Sequence, residues 1–108
     1  MLEVKIFTLY PDLFPGPLDI GIYKKAKENK TWSLKVINIR DYSTGSHGSV
    51  DDTPFGGGSG MLLRPDVIAS ALDANTKIGE KIIYLSPKGK KFDQKNARLL
   101  SKLKKINF

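Results

Sequence analysis

The sequence predicts an α/β fold, a parallel sheet with helices on both faces. Two observations carry it. Apolar residues follow a strand-like pattern in segments 2–9, 32–39 and 82–85, and a helix-like spacing in the stretches between them. Each pair of successive strands is therefore separated by a helix-length crossover, which parallel neighbours need and hairpin neighbours do not.

In the first strand Leu2, Val4 and Ile6 alternate with Glu3 and Lys5 before Phe7 to Leu9 turn apolar. Pro11, Pro15, Gly16 and Pro17 punctuate the turn that follows. Leu18, Ile22 and Ala26 recur every four residues, which marks the inner face of a helix ending near Asn29. Trp32, Leu34, Val36 and Ile37 to Ile39 make a second strand. After segment 40–60, Pro65 suits a first helical turn, and Asp66 sits at the positive end of that helix's dipole. Val67, Ile68, Ala71 and Leu72 form its expected buried stripe. The run 82–85 is unbroken apolar, the pattern of a strand covered on both faces. Asp93 is placed to cap a third helix with Ala97, Leu100 and Leu103 inward. Ile106, Asn107 and Phe108 then read as the first residues of one more strand. The expectation is a half-built sheet, left open after Phe108 and continued by chain that lies beyond it.

Composition narrows the function classes. Hydrophobic residues at 40% and charged residues at 27% are the balance of a globular domain rather than a disordered tail. No stretch approaches the ~20 apolar residues of a membrane span. Glu3 and Pro11 stand where an export signal would carry a basic start and an apolar run, so a cytoplasmic location is expected. The absence of cysteine excludes disulfides, thiolate catalysis and cysteine-ligated zinc. Eighteen Lys and Arg against eleven Asp and Glu give +7, a bias towards polyanions or simply towards solubility. The basic residues crowd the last quarter, at Lys88, Lys90, Lys91, Lys95, Arg98, Lys102, Lys104 and Lys105.

Ligands of parallel sheets sit beyond the carboxyl ends of the strands. Segments 40–60 and 86–91 leave strands there. The first holds 21 residues, six of them glycine, without helical or strand period. Ordered loops of that length are usually functional. Arg40 and Asp41 can engage phosphate and a backbone amide, or each other. His47, the only histidine, is followed by Asp51 and Asp52. Metal binding is poorly supported, because zinc takes three or four ligands and hard cations want more oxygens. A carboxylate can accept from guanine N1–H and its amino group, and an imidazole can donate to its carbonyl; the aspartates can equally close local turns. In Thr53-Pro54-Phe55-Gly56-Gly57-Gly58-Ser59-Gly60-Met61 the glycines imply positive φ or close ligand approach. The run lacks a Walker ending and dinucleotide spacing. Pro54, Phe55 and Met61 are anchors that a free linker does not need. At Tyr84-Leu85-Ser86-Pro87 a strand end offers main-chain groups in an apolar setting, suited to an adenine edge or to an ordinary strand-to-helix turn.

Taken together, TLYPDLF, NIRDYS, VDDTPFGGGSGM preceded by His47, and YLSPKG resemble, in the same order, the bacterial tRNA (guanine-N1)-methyltransferases over nearly all 108 residues. The glycine run is the specific part; YLSP alone is weak. The resemblance implies a trefoil-knotted α/β fold of the SPOUT superfamily, working as a homodimer with shared active sites. It implies bent S-adenosyl-L-methionine as cofactor, and as substrate the tRNA guanosine on the 3′ side of the anticodon. Tyr84, Leu85, Ser86 and Pro87 match its cofactor-side strand end. His47 and Asp51 match positions near the target guanosine, and Pro54 with Gly56, Gly57 and Gly58 match the loop lining the pocket. The catalytic aspartate and an arginine of the family fall beyond Phe108, so residues 1–108 are expected to be the incomplete N-terminal part of the methyltransferase domain and inactive alone. Phe55 replaces a common tyrosine, and Lys88 replaces a common glutamine and brings positive charge towards a cationic cofactor. The alternative expectation is a non-enzymatic basic RNA-binding module, motivated by the lysine-rich tail.

Overall fold

The computed structural model describes residues 1–43, 51–52, 62–63 and 65–108, of which 51–52 and 62–63 are described by their backbone. Strands β1 (Leu2–Thr8), β2 (Trp32–Asn38), β5 (Lys81–Ile82) and β6 (Lys105–Asn107) form one sheet in the order β2-β1-β6-β5, and every pairing in it is parallel. β3 (Asp51–Asp52) and β4 (Leu62–Leu63) pair antiparallel on their own, Asp51 opposite Leu63. The helices are α1 (Gly21–Glu28), α2 (Pro65–Asn75) and α3 (Gln94–Ser101).

The strand order dictates which face each helix covers. Parallel crossovers are right-handed, so the direction of the step across the sheet fixes the side on which the helix packs. The steps β1→β2 and β5→β6 run towards the β2 edge, and α1 and α3 share one face. Leu2, Val4 and Ile6 of β1 look into it beside Tyr23 of α1 and Leu100 of α3. The step β2→β5 runs the other way and brings α2 to the opposite face, where Ile68, Ala71 and Leu72 meet Phe7. The expected helices on both faces are observed.

The α2 stripe packs as its spacing requires: Val67 is 2% exposed, Ala71 is fully buried, and Ile68 and Leu72 are half-buried. Val67 packs with Ile39, and Phe7, Leu9 and Tyr42 close around the pair. Asp93 caps α3, its Oδ1 accepting from the Asn96 amide at 2.8 Å.

Three expectations are corrected. The last strand does not begin an open edge: β6 lies inside the sheet, between β1 and β5. Phe108 extends it, donating to Lys5 O and accepting from the Phe7 amide, both at 2.8 Å. The sheet's edges are β2 and β5, because the β5→β6 crossover steps back into the gap beside β1. The run 82–85 is therefore not a strand covered on both faces. Its ladder ends at the Ile83 amide, which donates to Asn107 O at 2.8 Å, and Ile82 is exposed. Finally, Ile22 is 76% exposed. Short 3-10 turns at Pro11–Leu13 and Gly16–Asp19 take up Leu18, and α1 starts only at Gly21, φ +61°. Tyr23, although 53% exposed, is the residue of this turn that borders the cleft over the sheet, and Ile22 does not.

Candidate active site

All four strands of the main sheet point their carboxyl ends at one edge, so the segments that follow them are gathered there. After β2 the chain makes a 3-10 turn, Ile39–Tyr42, held by Asn38 Oδ1, which accepts from the Arg40 amide at 3.0 Å. Ser43 Oγ donates to Arg40 O at 2.9 Å. Arg40 and Asp41 are both exposed, and among the described residues they form no ion pair with each other.

The tip of β5 is the most open part of this edge. Beyond Ile83 the chain leaves the ladder, and Tyr84 and Leu85 are 83% and 75% exposed. Among the described residues their amides and carbonyls have no main-chain partner. Ser86 then starts a tight turn: its carbonyl accepts from the Gly89 amide at 3.1 Å and its Oγ from the Lys88 amide at 3.2 Å. A Cβ on Gly89 would stand 3.3 Å from Ser86 O, so the turn favours glycine there. Two clefts meet at the tip. One, of about 780 Å³, runs from Tyr84, Leu85, Ser86 and Pro87 to Phe92 and Leu100. The other, of about 330 Å³, lies on the α2 face and joins Tyr84 to Phe7, Ile39 and Ile68.

Ile39 and Ile68 stand on the two elements that bracket the glycine-rich segment, so its roots and the β5 tip share one cleft. His47, Pro54, Gly56, Gly57, Gly58 and Phe55 lie outside the described residues, and Asp51 is described through the backbone of β3. The structure thus brings together Tyr84, Leu85, Ser86 and Pro87. A further cleft of about 700 Å³ between α1 and α3 is lined almost wholly by apolar side chains such as Val4, Ile6, Trp32 and Leu34. Among the described residues only Tyr23, Trp32 and Ser101 bring polar side-chain groups to its lining, and it lies over the sheet face rather than at the strand ends, so the β5 tip is the better candidate.

Sequence reading missed a polar network at the amino-terminal end of β5. Asn107, 1% exposed in the middle of the sheet, donates from Nδ2 to Glu80 Oε1 at 3.2 Å and to Lys81 O at 3.1 Å, while its buried Oδ1 has no partner among the described residues. Glu80 also accepts from the Lys77 amide at 2.7 Å and lies 3.9 Å from Lys5 Nζ. The Asn107 amide, then the Lys77 amide, hold the Glu80 carboxyl below its ordinary value; burial opposes them, and Lys5 and Lys105 add to the lowering. Lys5 Nζ also donates to Asn75 O at the end of α2, and Asn75 Nδ2 donates to Tyr42 Oη at 2.8 Å. The one signal for this network in the sequence was a polar Asn107 between Ile106 and Phe108.

Comparison with known proteins identifies the family. The family model described as tRNA (Guanine-1)-methyltransferase TrmD matches residues 2–108. The chain belongs to this family. A tRNA (guanine-N(1)-)-methyltransferase of Pelagibacter ubique is 62% identical over 107 residues, which are 99% of this chain and 47% of the relative. Proteins of the same name from the Wolbachia of Brugia malayi and from Alkaliphilus oremlandii are 47% and 45% identical. Those alignments cover 93% and 91% of this chain and 43% of each relative. The chain spans about half the length of the curated relatives it matches. Against the family pattern, Lys88 is exposed and stays out of the cleft that Ser86, Pro87 and Gly89 line, so its charge faces solvent.

Proposed function

We propose that this chain is the N-terminal part of the methyltransferase domain of an enzyme that methylates guanine N1 of tRNA, at the guanosine 3′ of the anticodon, with S-adenosyl-L-methionine as donor. Membership of the tRNA (guanine-N1)-methyltransferase family over residues 2–108 carries the reading. The β5 tip supports it. An adenine edge presents a donor amino group beside ring-nitrogen acceptors, and the amides and carbonyls of Tyr84 and Leu85, which have no main-chain partner among the described residues, are matching groups in a cleft that Phe92 and Leu100 line together with Lys81, Lys90 and Lys91. Ser86 and Pro87 turn the chain away and keep that edge open. When bound, the cofactor supplies an electrophilic methyl on sulfur.

On this reading His47 and Asp51 engage the guanine, the imidazole at its carbonyl and the carboxylate at its N1–H and amino group. Pro54 and Gly56, Gly57 and Gly58 line the pocket with backbone. Neutral guanine is a poor nucleophile at N1, so its proton must go to a base as the new C–N bond forms and the sulfonium bond to carbon breaks. On this reading that base is an aspartate supplied from outside residues 1–108. We extend the proposal to a homodimer with shared sites, a SPOUT-type knotted fold and a cytoplasmic location. Among the described residues no helix is long and apolar enough to cross a membrane.

The test uses a chimera in which residues 1–108 replace the matching part of the Pelagibacter ubique relative. Calorimetric titration with S-adenosyl-L-methionine is expected to show one site per chain. Leu85→Pro, which removes one amide at the tip, is expected to weaken binding at least ~10-fold with melting unchanged. No binding to the parent chimera, or unaltered affinity in the Pro variant, contradicts the cofactor assignment. Specific tRNA binding without methyl transfer favours a basic RNA-binding module instead.

A further inference from the structure

The charge of this chain is segregated. Residues 1–85 hold ten basic and ten acidic side chains and are neutral overall, whereas residues 86–108 hold eight basic and one acidic. The whole surplus of +7 therefore sits on the β5–α3 turn, α3 and the approach to β6. The single acid, Asp93, is committed to the α3 cap.

Helix geometry turns that surplus into a surface. At 100° per residue, Lys95, Arg98 and Lys102 fall within roughly 60° of arc and ~10 Å of axis. Lys95 and Arg98 lie in α3 and Lys102 is its C-cap. All three are exposed. Ala97 and Leu100, which line the cleft over the sheet, point the opposite way. Lys88, Lys90 and Lys91 are exposed just before the helix. Among the described residues none of these six has a carboxylate within ion-pair distance; the ion pairs present join Lys5 to Glu80, Lys27 to Asp19 and Lys105 to Glu3. α3 also borders the site, since its Asn96, Leu99 and Leu100 line the same cleft as Tyr84 and Leu85.

We infer that the solvent face of α3, through Lys95, Arg98 and Lys102, is a docking surface for the sugar–phosphate backbone of tRNA. This rests on the function proposed above and adds to it where the nucleic acid is gripped. Unpaired cations in a row, beside the cleft proposed to hold the donor, fit a polyanion that must reach that cleft. Such contacts position without reading bases.

Salt dependence is the test, because each phosphate neutralised contributes about 0.7–0.9 to the slope of log affinity against log salt. The chimera is compared with its Lys95→Gln/Arg98→Gln/Lys102→Gln variant, with a control Lys24→Gln/Lys25→Gln on α1, and with Lys95→Arg/Lys102→Arg. Losing three contacts lowers the slope by about 2.1–2.7. Between 50 and 200 mM salt the parent should then lose about 20–40-fold more tRNA affinity than the triple variant. The α1 control and the Arg variant should keep the parental slope, and titration with S-adenosyl-L-methionine should be unchanged in all of them. An unchanged slope in the triple variant, or an equal loss in the α1 control, overturns the inference and leaves the proposed function standing. The same holds if the three cations instead govern binding to vesicles of anionic phospholipid. A parent that binds no tRNA overturns both. A parent that binds with the expected slope but transfers no methyl supports the surface and removes the enzymatic reading.

Discussion

Val67→Ala tests the packing that joins the two roots of the glycine-rich segment. Val67 belongs to α2, is 2% exposed, and meets Ile39 of the turn after β2, with Phe7, Leu9 and Tyr42 around them. Removing two buried methyl groups forfeits ~1.6 kcal/mol of transfer free energy at ~0.8 per carbon. The site is walled by a sheet and a helix and collapses only partly, so a cavity contribution brings the cost to ~2–3 kcal/mol. In a protein about twice this length, that is a fall of roughly 4–12 °C in melting temperature at ~2–4 °C per kcal/mol. Guanidinium unfolding of the chimera, followed by circular dichroism, measures it, and Ile78→Ala at a fully exposed position is the reference. The reference should stay within ~0.5 kcal/mol of the parent. A Val67→Ala cost below that bound would show that α2 does not pack here and would refute the placement of the segment's roots beside the β5 tip.

Three further outcomes are expected. Asp93→Ala removes the α3 cap and should cost about 1 kcal/mol, read by the same unfolding curves, whereas Asp93→Asn should retain most of it. Glu80 is held below its ordinary value of 4.5, chiefly by the Asn107 amide, so the folded state binds its proton less readily than the unfolded chain does. The stability it contributes is present in full above about 4.5 and is lost as pH falls through the lower folded value; stability measured from pH 7 to 3 should fall less in Glu80→Gln than in the parent. Lys88→Gln restores the residue common in the family, yet Lys88 faces solvent, so the affinity for S-adenosyl-L-methionine should change less than about twofold.

What could be read in the residues, and what could not, follows from the range of each signal. The α2 stripe and the Asp93 cap are local: a 3.6-residue period and a side chain three residues from its amide decide them, and both stand as expected. The four-residue period predicts Ile22 on the inner face, but two 3-10 turns between Pro11 and Asp19 consume residues before α1 begins, which periodicity alone does not register. Strand order is non-local. Nothing in Ile106, Asn107 and Phe108 says that they enter the sheet between β1 and β5, and so the open edge was put in the wrong place. The apolar run 82–85 resembles a buried strand, but its first residues lie at an edge and its last two project beyond the ladder. At the candidate site, resemblance to a family and the pattern of a strand end single out Tyr84, Leu85, Ser86 and Pro87, and the structure puts these residues where the chain leaves β5; their role belongs to the proposal. The Asn107, Glu80 and Lys5 network was not, because it joins three elements distant in sequence.

These strand-end segments are proposed to serve methyl transfer to guanine N1 of tRNA. Methylation at N1 blocks the pairing edge of the base and so arrests reverse transcription at the modified nucleotide. After incubation of the chimera with unmodified tRNA and S-adenosyl-L-methionine, primer extension should stop at the guanosine 3′ of the anticodon, and the stop should vanish when that guanosine is changed or when Asp51→Ala is used. A folded chimera that binds the cofactor yet leaves no stop there, or places it at another base, would contradict the claim.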